Sequence, residues 1–265
     1  MNSQLNILSV KPLFKELLAI LKDSDPEIID VWLSLDEIES IQKYDEPHLR
    51  TILSDLESIS IQKGNYINYV VINKILFIIE SFHFIEVDIS QLSLLLDFKG
   101  FEALIEEILK RNNFNTIRNF RFSDKSNFKS KTSQKKYEID VIGICRNFVL
   151  LIDAKQWKRK DSFGSINKAA DLQYRRTIAL KKNPEIFSRL IHKLLDKTLN
   201  LRKNLPLLLI PLMVTVEDNS IKINTNQIPL VSIYELNAFL QELHNNLNYF
   251  KIIKINSLII QKRLL

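Results

Sequence analysis

The chain has 265 residues, 46% of them hydrophobic, and a formal net charge of +6. That much apolar material fills a real core and excludes wholesale disorder; one cysteine, Cys145, excludes an intrachain disulfide, and four scattered histidines (His48, His83, His192, His244) have no zinc spacing. The N-terminus lacks the basic-then-apolar layout of a signal peptide, and no apolar run reaches the roughly 18 residues of a membrane span, so an intracellular, cytoplasmic chain with no membrane partner is expected.

Charge is divided unevenly along the chain. Residues 1–95 carry 7 Lys+Arg against 15 Asp+Glu, and the remainder carries 30 against 16. An acidic front and a basic back suggest two regions, the second with a polyanion as partner. A merely solvated basic surface is the alternative. The first region, 1–95, is expected to be mainly helical. KPLFKELLAILKD places apolar residues at helical spacing, and DPEIIDVWLSLDEIESIQKY and EPHLRTILSDLESISI follow with Asp25-Pro26 and Glu46-Pro47 as starts. YINYVVINKILFIIESF reads as an apolar helix or a strand–helix mixture, and Asp88 caps QLSLLLDF. Partner binding, dimerisation and DNA recognition are the roles open to this region.

The second region, 96–265, opens with FEALIEEILKRNNF, whose Phe101, Leu104, Ile105 and Leu109 share a helical face. TIRNFRF alternates as a strand, SDKSNFKSKTSQKK is a basic loop, and EIDVIGICRNFVLLIDAKQWK contains two strands. Helices follow from Ser165 to Lys182 and over PEIFSRLIHKLLDKTL; LPLLLIPLMVTV and IPLVSI are strands; YELNAFLQELHNNL is a helix and FKIIKI a last strand. Strands interleaved with helices in this order predict an α/β sheet covered by helices.

The paired strands at 138–158 hold the chemistry. Arg146-Asn147 suits a tight hairpin turn, with asparagine tolerating positive φ. A two-residue loop sets Asp140 opposite Asp153 and Glu138 opposite Lys155, all on one face. Two opposed carboxylates in an apolar sheet repel with little screening. A hard divalent cation, Mg²⁺ or Mn²⁺, relieves that conflict with oxygen ligands alone. The competing explanation is a salt-bridge network in which Asp153 and Glu138 neutralise Lys155; against it, the cluster holds more carboxylate than cation.

Asp140 followed on the next strand by Asp153-Ala154-Lys155 resembles the signature of the PD-(D/E)XK nuclease superfamily. Gly100-Phe101-Glu102 and the helix after it resemble the opening helix of Mrr-type restriction endonucleases and archaeal Holliday junction resolvases. The resemblance covers roughly residues 97–245, including VSIYELNAFLQEL as closing strand and helix. It departs in lacking a proline before Asp140, where Ile139 stands, and in using the shorter Asp153 as second carboxylate. It implies a restriction-endonuclease-like mixed β-sheet flanked by helices and preceded by the mainly helical region. It further implies a Mg²⁺- or Mn²⁺-dependent deoxyribonuclease in which Asp140, Asp153 and Glu102 hold metal and Lys155 orients the attacking water. Glu106, one turn on from Glu102, is a weaker candidate. Gln156, directly after Lys155, and Glu138 are accessory positions. So is Gln173, similar to the helical glutamine of RecB-type nucleases, although Thr177 stands where those carry tyrosine; capping or facing solvent is its alternative.

Residues 109–136 hold nine Lys+Arg and one acidic residue, Asp124. Arg118, Arg121, Lys125, Lys129, Lys131, Lys158, Arg159, Arg175 and Arg176 are therefore expected to contact nucleic-acid phosphates. Phe120 and Phe122 are expected in the strand core, and Trp157 as a packing residue. DNA is the expected substrate, with RNA open. A non-cleaving nucleic-acid-binding or adaptor protein on the same fold is the other reading. A resolvase-like role would require a homodimer, because two opposed strands need two sites.

Overall fold

The computed structural model describes residues 7–42, 44, 46–65, 67–124, 136–156, 163–195, 205–218 and 221–259. The chain divides into two compact units, Met1–Leu104 and Ile105–Leu265. Among the described residues no helix is long and apolar enough to cross a membrane.

The first unit is mainly helical by residue, but a three-stranded antiparallel sheet sits within it. Its elements are α1 (Ile7–Asp23), β1 (Asp30–Ser34), α2 (Glu46–Ser54), β2 (Ile59–Lys63), β3 (Asn68–Asn73), α3 (Lys74–Phe84) and α4 (Ile89–Leu92), with short 3-10 turns between. The strands run in the order β1-β3-β2. The expected helices cover β1 and the first three residues of β2. β1 alternates Val31 and Leu33 inward with Asp30 and Trp32 outward, over only five residues. So brief an alternation is hidden in a long window that also satisfies helical spacing. Phe14 of α1 stacks on Phe77 of α3 at 5.0 Å. Lys74 is fully buried, its ammonium donating to the carbonyls of Asp25 (2.6 Å) and Leu95 (3.3 Å). Burial pulls its pKa below the ordinary lysine value, against the opposing pull of Asp25 and Asp97.

Helix α5 (Phe98–Arg111) crosses the division between the units. The second unit continues with β4 (Asn115–Ser123), β5 (Lys136–Cys145), β6 (Phe148–Lys155), α6 (Phe163–Lys182), α7 (Pro184–Leu194), β7 (Leu207–Thr215), β8 (Leu230–Ser232), α8 (Leu236–Glu242) and β9 (Ile253–Ile255). This is the expected order of strands and helices. The six strands form one mixed sheet in the order β4-β5-β6-β7-β8, with β9 pairing β7 beside β8. β4, β5 and β6 are antiparallel neighbours; β6 and β7 are parallel, joined through α6 and α7. The result is a restriction-endonuclease-like α/β fold.

Both faces of the sheet are covered. Ile142, Ile144, Val149, Leu151, Leu207 and Leu209 form a core with Leu180 of α6 and Phe187, Leu190 and Ile191 of α7. Side chains alternate along a strand, so Gly143, between Ile142 and Ile144, faces the other way. There a Cβ on Gly143 would stand 3.1 Å from Leu109 and 3.2 Å from Phe114. Coverage on both sides explains why β6 is nearly continuous in apolar residues.

Pro211 sits in the middle of central strand β7, where a missing N–H ordinarily breaks a ladder. The topology removes the conflict. Met213 donates its N–H toward β8, at Pro229, and position 211 shares that parity. On that side β9 pairs residues 207–209 and β8 pairs 213–215, so the proline faces the gap between them.

Filling the close approach at Gly143 tests this packing. Gly143→Val is expected to destabilise the chain by about 1–3 kcal/mol in urea unfolding, because the added methyls overpack Leu109 and Phe114. A change within about 0.5 kcal/mol, the ordinary range of surface substitutions, would contradict it.

Candidate active site

The β5–β6 hairpin has the two-residue loop and the register expected. Cys145 pairs Phe148, and the ladder runs to Val141 opposite Ile152. The positive φ falls on Arg146 (54°), not on Asn147. The loop is thus left-handed at its first residue, a position that favours glycine in the two-residue hairpins of that kind.

Extending the register by one step puts Asp140 opposite Asp153, and there the sheet opens. The β5–β6 ladder stops before that pair. On the other side, the β4–β5 ladder skips Asn119, whose position is opposite Asp140 and whose φ is 54°. Asp140 therefore lies outside both ladders. Alternation in an antiparallel pair makes Ile139–Ala154 the next hydrogen-bonded pair. Instead the Ala154 N–H donates to Asp140 Oδ2 at 2.8 Å. A side-chain carboxylate has replaced a ladder bond. Asp153, by contrast, stays in register with Met213 on the β7 side.

The expected trio is brought together. Asp140 is 7% exposed and Asp153 1%. Lys155 Nζ stands 2.9 Å from Asp153 Oδ2. That contact lacks hydrogen-bond alignment, since Oδ2 has no hydrogen-bond partner among the described residues. Burial, and then the Asp153 carboxylate, push the Asp140 pKa up to about 6; the Ala154 N–H, Lys155 and Arg176 oppose them.

Arg176 is the group that the sequence did not place here. From α6 its Nη1 ion-pairs with Asp153 Oδ1 and donates to Gln173 Oε1 at 3.2 Å. Gln173 is fully buried and its Nε2 donates to the Leu151 carbonyl at 2.7 Å. So Gln173 neither caps the helix nor faces solvent; it ties α6 to β6 and holds Arg176. The cluster is then two carboxylates with two cations, and the excess of carboxylate over cation expected from the strands is corrected by a residue 23 positions along. No short spacing rule links a helix residue to a strand carboxylate over that distance.

Other expected positions are arranged differently. Glu138 does not face Lys155: it pairs with Arg121 of β4 at 2.9 Å, because the ladder between β5 and β6 has already ended. Arg118 pairs with Glu106 at 2.8 Å. Glu106 also accepts from Thr116 Oγ1 at 3.0 Å, which fastens α5 to β4. Arg118, Arg121 and Arg176, expected on phosphates, are thus each engaged by a carboxylate within the chain. Arg175 is exposed and Gln156 is half-buried at the end of β6. Glu102 is 1% exposed, on the part of α5 that belongs to the first unit. Lys125, Lys129, Lys131, Trp157, Lys158 and Arg159 lie outside the described residues. Phe122 is buried in the core, as expected, with Phe120 packed half-buried against it.

The donor chemistry bears on a metal. Among the described residues no three His, Cys, Asp or Glu side chains gather as a metal site. The two carboxylates are oxygen donors suited to a hard cation, and burial, followed by the neighbouring Asp153 carboxylate, raises the Asp140 pKa. In donor type, Asp140 and Asp153 fit Mg²⁺ or Mn²⁺.

A family model described as Nuclease-related domain (NERD) matches residues 98–216, from α5 through β7. The match supports a nuclease domain over that span and includes Asp140, Asp153, Lys155 and Arg176. No curated protein matches the chain. Among solved structures, the crystal structure of protein VC1899 from Vibrio cholerae aligns over 94% of this chain at 15% identity and a TM-score of 0.33. The chain spans 58% of the length of that protein, and the likeness is too slight to carry fold or function.

The raised Asp140 pKa has a stability consequence. In the folded chain Asp140 holds its proton to about pH 6, whereas an unfolded carboxyl loses it near pH 4. Stability therefore falls across that window as pH rises, and the penalty is complete above it. In EDTA at pH 8, Asp140→Asn is expected to be more stable than wild type by about 2 kcal/mol in urea unfolding, the advantage vanishing near pH 4. A variant less stable than wild type at pH 8 would contradict this electrostatic account.

Proposed function

We propose that the chain is a metal-dependent nuclease of the PD-(D/E)XK type that hydrolyses phosphodiester bonds of DNA. The observation that supports it most is the buried Asp140–Asp153 pair at the opening of the sheet. Lys155 stands beside it, within the span matched by the nuclease-related domain. Asp140 and Asp153 would hold Mg²⁺ or Mn²⁺, which when bound polarises a phosphate oxygen and lowers the pKa of a water. Lys155 supplies a cation fixed by its strand, able to orient that water and to stabilise charge developing on the phosphate. Glu102 enters the proposal on resemblance alone. Exposed cations such as Arg175 would contact phosphates without reading bases.

One observation favours a second reading. Arg176 and Lys155 together balance Asp140 and Asp153 in charge. A balanced cluster is also what a non-cleaving nucleic-acid-binding protein on this fold would keep for stability.

Cleavage of a panel of linear, single-stranded, flapped and four-way DNA, with single-stranded RNA included, separates the two. With Mg²⁺ or Mn²⁺ the wild type is expected to cut DNA, and EDTA to abolish cutting. Asp153→Ala and Lys155→Ala are each expected to lower the rate by about 100-fold or more. Lys155→Ala should keep more of the metal binding than Asp153→Ala. Nucleic-acid binding with no cleavage by the wild type would favour the second reading. Cleavage confined to RNA would correct the substrate.

A further inference from the structure

We propose that Arg176 is the resident counter-ion of Asp153 and gives that carboxylate up when a divalent cation binds. This exchange rests on the metal-dependent nuclease proposed above. It begins from a conflict in the geometry. Asp153 has both oxygens facing cations: Oδ1 meets Arg176 and Oδ2 meets Lys155. Asp140 has committed Oδ2 to the Ala154 N–H. A dication on these carboxylates would stand beside two further positive groups in a nearly buried place, where like charges repel strongly. One of the two must withdraw.

The attachment of the two cations decides which. Lys155 lies on the same strand as Asp153, two residues on, and its backbone is fixed in the β6–β7 ladder opposite Thr215. Arg176 reaches Asp153 from a different element, α6, at the end of a long arm. It also has a second anchor that does not depend on Asp153. Gln173 Oε1 accepts from the same Nη1, and Gln173 is itself pinned to the Leu151 carbonyl. The guanidinium can therefore leave the carboxylate and stay tethered at the site. A released guanidinium presents a planar fork of donors that matches a phosphate. Arg176 is in this sense a positioning residue: it pairs with Asp153 and orients it without metal, and becomes available to the phosphate with it.

The test reads metal affinity and the side chain itself. Mn²⁺ binding is measured calorimetrically on the full chain for wild type, Asp153→Asn, Arg176→Gln and Arg176→Lys. Wild type is expected to bind Mn²⁺ and Asp153→Asn to lose that binding. Arg176→Gln, with the competing cation removed, is expected to bind about tenfold more tightly than wild type, and Arg176→Lys to fall between them. A merely structural Arg176 would leave affinity unchanged or weakened when removed, and that result overturns the exchange while the metal site stands. Wild type that binds no more Mn²⁺ than Asp153→Asn overturns the metal reading and the exchange with it. If Arg176→Gln does not fold, the unaltered protein still decides. The Arg176 side-chain Nε resonance is expected to shift when Mg²⁺ is added, and an unmoved resonance in protein that has bound Mg²⁺ contradicts the exchange.

Discussion

Two carboxylates at the point where two interior strands of a sealed sheet part set the constraint on which the second unit depends. Asp140 and Asp153 are nearly withdrawn from water, and their mutual repulsion is one cause of the raised Asp140 pKa. Charges so placed are tolerated only when paired and hydrogen-bonded. The local structure meets that demand in stages. The ladders part at Asp140, its carboxylate takes the Ala154 N–H, Lys155 approaches from the same strand, and Arg176 arrives from α6. An interruption that would weaken an ordinary sheet here frees one carboxylate from the ladder while the other remains fixed against β7.

The position of α6 follows from the same demand as well as from packing. Its apolar side contributes Ala179 and Leu180 to the core over β5 and β6, and Ala170 packs near Met213 of β7. Between these runs the polar segment Gln173 to Arg176. Gln173 hydrogen-bonds the Leu151 carbonyl, and Arg176 meets Asp153 two residues further along β6. One helix therefore seals the sheet and supplies its charge balance. Pro211 shows the same economy of topology, its missing N–H falling where, among the described residues, no strand pairs on that side of β7.

Much of this could be read from residues. The hairpin register, the closeness of Asp140, Asp153 and Lys155, and the strand–helix order of the second unit followed from periodicity and turn chemistry, which are local. What escaped was non-local or brief. Arg176 reaches Asp153 only through the packing of a helix, which no spacing encodes. Glu138 appeared to face Lys155 because an ideal ladder was extended past the point where Asn119 and Asp140 interrupt it. The strands of the first unit are five or six residues long, too short for alternation to stand out from helical spacing. Arg118 and Arg121 read as phosphate contacts because composition shows charge but not the carboxylate beside it.

The central claim is that Asp140 and Asp153 form a metal site whose charge is otherwise met by Arg176. Anomalous diffraction from crystals of the chain soaked in Mn²⁺ tests it most directly. The account predicts an anomalous peak within coordination distance of both carboxylates, with the Arg176 guanidinium moved off Asp153. An anomalous map with no peak at these carboxylates, and Arg176 still paired with Asp153, would contradict it.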